Sequence, residues 1–212
     1  MAPKKISNSL EEQIEKGIKI LRMGGVIAFP TDTIYGIGAS IYDLAAVERV
    51  FKLKKRPKEM ALPVLVADIA QMEEVAENLP SLACRVVERF LPGGLTLILK
   101  KKKTIAEIVS AGKDTVAVRI PDNKVVLRLI KGLGKPIVGT SANQSGGQNA
   151  LTAQQVEDNF GGMLDLIIDA GIVSGGVESS IVDFSGKTPK MIREGAISRG
   201  ELELACGIKY EN

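Results

Sequence analysis

Three separated stretches share one character: an apolar run ends, and hydroxyl, amide or cationic side chains follow. "FPTDTIYGIG" at 29–38 sets two threonines, an aspartate and a tyrosine after a strand-like run. Gly36 and Gly38 there permit close backbone approach. "KLKKRP" at 52–57 carries four cations at the end of a helical pattern, where the helix dipole already favours them. "TSANQSGG" at 140–147 offers hydroxyls, an amide and glycine N–H groups without charge. Composition alone makes it a loop. Arg119 closes "TVAVR" and Arg193 closes "KMIR". An arginine at such a strand end holds a carboxylate or phosphate ligand, or pairs with a structural acid.

The chemistry these groups can do is bounded by a zero: the sequence has no histidine. That removes Ser-His-Asp and Cys-His triads, HExxH zinc sites and any histidine base. With two cysteines, Cys84 and Cys206, and no histidine, a zinc site lacks its usual ligands. What is left is catalysis by positioning and electrostatics, which suits transfer at phosphorus.

Several familiar patterns fail. "GIGASI" at 36–41 puts Ile41 where the third glycine of a dinucleotide fingerprint belongs. "GKT" at 186–188 ends like a P-loop, but Ile181 occupies the leading glycine position. "NQS" at 143–145 is a formal glycosylation sequon, of little meaning without an export signal. Cys84 falls in a helical pattern with Val87, Phe90 and Leu91, which predicts a buried thiol. The lysines at 100–103 read as a solvated strand end.

The elements that must position these groups are legible from periodicity. Ser9 and Glu12 make a capping box before Ile14, Ile18 and Leu21, and Gly24-Gly25 stop that helix. Further helices start at Asp43, Asp68, Pro80, Asp122, Thr152 and Ser198. Strands are expected at 26–29, 62–67, 95–99, 115–120, 137–139, 166–168, 180–184 and 191–193. The sum is an α/β chain with a mixed sheet, read as one domain over 1–212. At 212 residues and 45% hydrophobic, the chain can bury a full core. Its net charge of +3 leaves any polyanion to a local patch. No apolar run approaches a membrane span, the first residues carry no apolar export core, and two cysteines suit a reducing cytoplasm.

"FPTDTIYGIG", "KKRP", "PGGLTLIL", "VAVRIPDN", "PIVGTSANQSGG", "ESSIVDF" and "IREGAIS" occur in the order and spacing of the YrdC-like family. The chain resembles the L-threonylcarbamoyladenylate synthases of tRNA modification over about residues 15–200. It looks like the short form, without the additional C-terminal domain of longer relatives. The resemblance implies a twisted mixed sheet flanked by helices, with a large cationic cavity on one side. It implies that L-threonine, bicarbonate and ATP, the last with Mg²⁺ on its phosphates, yield threonylcarbamoyl-AMP and pyrophosphate. A partner transferase complex then modifies adenosine 37 of tRNA.

Carried over motif by motif, Thr31, Arg119, Ser141 and Ser179 would hold L-threonine, with Arg119 on its carboxylate. Lys54 and Arg56 match the catalytic cations for the triphosphate. Asn143, Thr115, Thr152 and Arg193 would add ATP contacts, and Tyr35 would line the cavity. No protein metal ligands are implied. Met60 departs from the Asn or Lys of many relatives, Glu194 from a proline and Ser180 from a threonine, while Gly147 lengthens its loop. The alternative is an RNA-binding paralogue without synthase activity, leaning on the lysines of 52–58 and 100–103. That rival has no need of a Thr31–Arg119 amino-acid site. A carbamoyltransferase module of hydrogenase maturation is disfavoured by the missing flanking segments.

Overall fold

A computed structural model of the chain describes residues 9–77 and 79–207. Residues 1–8, read above for an export signal, and the Cys206 side chain lie outside the described residues. In chain order the strands are β1 Ile27–Pro30, β2 Tyr35–Ser40, β3 Val64–Leu65, β4 Leu95–Lys100, β5 Thr115–Arg119, β6 Ile137–Ser141, β7 Leu166–Ile167, β8 Ser180–Asp183 and β9 Lys190–Arg193. The helices are α1 Leu10–Arg22, α2 Leu44–Lys54, α3 Ile69–Val75, α4 Ser81–Phe90, α5 Glu107–Ser110, α6 Lys124–Leu133, α7 Ala153–Phe160 and α8 Arg199–Cys206.

All nine strands join one sheet in the order β7-β1-β2-β6-β3-β5-β4-β8-β9. Pairing is mixed: β1·β7, β3·β5 and β4·β8 are parallel, and the other neighbours are antiparallel. The expected mixed α/β sheet is therefore the observed one.

Strand parity divides the core in two. Val26, Ala28, Tyr35, Ile37, Val64, Leu95, Leu97, Val116, Val118, Val138 and Val182 pack on one face with Val47, Val50, Val86 and Val156 of the helices. Ile27, Phe29, Leu65 and Ile137 face the other way, against Ile14, Ile18 and Leu21 of α1 and Val126, Leu129 and Ile130 of α6. The caps lie where the side chains demand them. Ser9, Asp43, Asp68 and Thr152 each accept an N–H of the first turn, a contact worth about 1 kcal/mol apiece.

The structure corrects several sequence expectations. β2 was hidden inside the polar "TDTIYGIG" stretch. Thr31 N–H to Ile34 O (3.1 Å) closes a tight connection, and Pro30 pairs with Tyr35. Glycine is required in this strand: a Cβ on Gly38 would lie 2.1 Å from Val138 O. The short α5 was not anticipated. The expected strand at 62–67 pairs only through Val64 and Leu65, although Val66 N–H still reaches Arg119 O. Asn123, not Asp122, caps α6, because its Oδ1 accepts from Val125 N–H at 2.9 Å. Cys84 is exposed rather than buried. The inward stripe of α4 is Ala83, Val86 and Val87, and Cys84 sits one position off it.

Candidate active site

Helices α1 and α6 cover the face of the sheet that carries Phe29 and Leu65, but not its continuation over β4, β5 and β8. A cavity of about 350 Å³ opens there. Its floor is kept low by small residues, Gly36, Ala117 and Gly139, with Thr96, Ile98 and Ile181 beyond them. Gly139 has no room for more: a Cβ would sit 2.5 Å from Leu65 Cδ1. Four cations, Arg56, Lys113, Arg119 and Arg193, and two carboxylates, Glu59 and Glu178, line the walls.

Arg119 is the best-held of these. Only 6% exposed, it ends β5 on the cavity side and donates from Nε to Gly93 O at 2.9 Å. Nη1 donates to Thr33 Oγ1 at 3.0 Å and Nη2 to Asp32 Oδ1 at 2.7 Å. A guanidinium has five N–H groups, so two on the terminal nitrogens remain for a ligand, a number that matches the two oxygens of a carboxylate. Burial draws its pKa down and Asp32 opposes the shift. A guanidinium stays charged regardless.

Thr31, also buried, turns the chain beneath it. Its hydroxyl donates to Ile34 O at 2.7 Å, accepts from the N–H groups of Thr33 and Ile34, and meets Thr33 Oγ1 at 3.0 Å. On the opposite wall Ser179 Oγ shares a hydrogen with Thr96 Oγ1 at 2.8 Å. Arg193 donates twice to Ser179 O and is ion-paired with Glu178. Glu194 leaves Arg193 alone and accepts from Arg199 N–H at the start of α8. Ser180, buried behind the wall, accepts from the N–H groups of Gly195 and Ile197 and so ties down the turn after β9. Arg56 donates to Met60 O (3.0 Å) and Ala61 O (2.8 Å), stiffening the turn that brings Met60 to the cavity.

Of the ten expected site residues, Thr31, Arg56, Arg119, Ser141, Ser179 and Arg193 line this one cavity. Thr115 shares the cavity side of β5 with Ala117 and Arg119, at the strand's far end. Lys54, Asn143 and Thr152 do not line it. Lys54 is 1% exposed, with its ammonium against Ser141 and Asn143. Thr152 caps α7, and Asn143 Nδ2 donates to Gly147 O at 2.5 Å. Tyr35 is corrected outright: it projects from the opposite face of β2 to Gly36, and its hydroxyl donates to Gly171 O at 2.9 Å.

Sequence reasoning passed over Lys113, Thr96 and Glu178, and gave no individual role to Asp32 and Thr33 of the first polar stretch. Parity held the missing signal for two of them. Lys113 continues the series 115, 117 and 119, and Thr96 alternates with three core leucines.

Burial pulls the Lys54 pKa down to about 8; Arg56 adds to the shift and Glu178 opposes it. Lysine in the unfolded chain titrates near its ordinary value, so between pH 8 and about 10.4 the unfolded state binds more protons and stability rises with pH. Thermal melts across that window should show the native chain gaining on a Lys54→Met variant. A gap that narrows or stays flat contradicts the assignment.

A hydroxyl-lined cavity carrying an arginine fork and three further cations is set on the open half of the mixed sheet of this α/β protein, an arrangement able to bind a small anion. The chain belongs to the Sua5/YciO/YrdC family, whose model, described as telomere recombination, matches residues 19–195. It is 38% identical over 197 residues to the threonylcarbamoyl-AMP synthase of Pyrococcus abyssi, covering 93% of this chain and 58% of that protein. The synthase of Psychromonas ingrahamii is 32% identical over 187 residues, covering 86% and 97%. The structure of P. abyssi Sua5 complexed with L-threonine matches with a TM-score of 0.92 at 37% identity, over 95% of this chain and 59% of that one. The chain thus spans less than two thirds of the Pyrococcus protein. Among the described residues no helix is long and apolar enough to cross a membrane.

Proposed function

We propose that the protein makes L-threonylcarbamoyladenylate from L-threonine, bicarbonate and ATP, releasing pyrophosphate. The observation that carries this is the Arg119 fork, fixed by Asp32 and Thr33 among the hydroxyls of Thr31, Ser141 and Ser179. The likeness to a protein solved with L-threonine supports it.

In this reading the threonine carboxylate takes the two remaining N–H groups of Arg119, and the wall hydroxyls receive the rest of the amino acid. Its ammonium gives up a proton, and the free amine condenses with bicarbonate to a carbamate with loss of water. A carbamate oxygen attacks the α-phosphorus of ATP, the bond to the β-phosphate oxygen breaks, and pyrophosphate leaves with the electron pair. The nucleophile belongs to the substrate, so the protein needs no histidine and no covalent residue. Arg56, Lys113 and Arg193 lie where cations can offset charge on the triphosphate, and Mg²⁺ arrives with ATP. Thr115, at the start of β5, is the remaining polar side chain on that path. The product then passes to a transferase complex that modifies tRNA, in the cytoplasm.

Incubation with ATP and Mg²⁺ should release pyrophosphate only when L-threonine and bicarbonate are both present. Release that persists without either substrate sinks the proposal.

A further inference from the structure

The family match places Lys54 and the "TSANQSGG" stretch in separate motifs, yet the fold makes them one unit. Lys54 ends α2, and its side chain runs under the segment that leaves β6. Its Nζ lies 2.5 Å from Ser141 O, 2.7 Å from Asn143 O, 3.1 Å from Asn143 Oδ1 and 3.3 Å from Ser141 Oγ. An ammonium has three N–H groups, and four oxygens already surround this one, so no donor is left over for a phosphate.

The grip is reciprocal. Lys54 O accepts from Ser145 Oγ at 3.0 Å and from Ser145 N–H at 3.3 Å, satisfying a helix C-terminal carbonyl that has no partner within α2. The same geometry explains the loop's course. In an extended segment successive carbonyls point to opposite sides. Those of Ser141 and Asn143 converge on Lys54, while that of Ala142 accepts from Asn159 Nδ2 at 3.2 Å. Ala142 N–H holds to Tyr35 O at 2.8 Å. Asn143 Nδ2 then closes the turn on Gly147 O.

We propose that Lys54 is a positioning residue: it sets the backbone of residues 141–143, and thereby aims Ser141 into the cavity, rather than touching the triphosphate. This rests on the reading of the cavity as a threonine and ATP site for its consequence, but not for the latch itself. Arg56, two residues on, keeps the ligand-facing role, since it lines the cavity and commits only two of its five N–H groups to Met60 O and Ala61 O.

The test uses Lys54→Met in the full chain, which keeps the stem and removes the donors. Hydrogen exchange of the amides in 142–147 should quicken about tenfold or more while α1 and α6 exchange as before. L-Threonine affinity, titrated calorimetrically without nucleotide, should fall about tenfold, with ATP affinity changed less than about threefold. Unchanged exchange in 142–147, or a loss confined to ATP, overturns the proposal. Should Lys54→Met fail to fold, Ser145→Ala removes the hydroxyl half of the reciprocal grip from outside the cavity and leaves the Ser145 N–H on Lys54 O. It should quicken the same amides by about threefold, and no change there is equally fatal. If the native chain gives no heat with threonine, the functional reading fails, while the exchange result still decides the latch.

Discussion

Arg119→Ala raises the L-threonine concentration needed for half-maximal pyrophosphate release by about 30- to 1000-fold, the loss of about 2–4 kcal/mol expected for a buried arginine on a carboxylate. ATP binding measured without threonine should change far less, because Arg119 sits at the Thr31–Thr33 end of the cavity. Comparable losses for both substrates would remove the assignment of this arginine to the amino acid.

The substitution has a second consequence that separates it from a simple ligand contact. Asp32 is four-fifths buried and accepts from both Arg119 and Asp122 N–H, so removing Arg119 leaves its carboxylate without its cationic partner. Breaking such a pair costs about 3–5 kcal/mol when fully buried, and less here because Asp32 retains some solvent. Arg119→Ala with Asp32→Asn should therefore recover much of the lost melting temperature without recovering threonine binding. Recovery of both would mean that Arg119 acts only by holding Asp32.

Gly175→Ala should damage the same corner from outside. Gly175 lies flat on the turn between β1 and β2, and a Cβ there would meet Asp32 O at 2.5 Å, Thr33 O at 2.6 Å and Thr33 Cα at 2.7 Å. All three are backbone atoms, so no side chain can swing aside. Gly176 N–H also holds Thr33 O at 2.8 Å, tying the two segments together. Overpacking of this kind costs about 1–3 kcal/mol, or roughly 2–12 °C in melting temperature for a chain of this size. The larger effect falls on activity. Pushing Asp32 and Thr33 displaces the two groups that aim Arg119, and a misplacement of about 1 Å can cost about 100-fold. Gly176→Ala, at a positive φ of 73° but with open space around its Cβ, should cost stability with much less loss of turnover. Equal loss of activity at both positions would show that general destabilisation, not displacement of the turn, is responsible.

Much of the site was legible in the residues. The missing histidine removed most covalent and metal chemistry, and the hydroxyl-rich and cationic stretches marked the segments that meet at the cavity. Helix starts were legible because caps are local: Ser9, Asp43, Asp68, Thr152 and Ser198 bind N–H groups within three residues of themselves. β2 was missed for the converse reason. Its Gly38 is dictated by Val138 O across the sheet, a neighbour about a hundred positions away along the chain that no local pattern reveals.

By itself the sequence determined the α/β class, the secondary elements with local signals, and a set of polar segments suited to an anionic small molecule. Only the tertiary structure decided which of those side chains face the cavity. Strand pairing put Gly36 and Tyr35 on opposite faces, and it joined Arg119 to Asp32 across 87 residues. It also turned Lys54 from the end of a cationic run into the buried partner of Ser141 and Asn143. The physical reason is that propensity and capping act over one helical turn. Burial, charge pairing and donor saturation depend on neighbours that only the folded chain supplies.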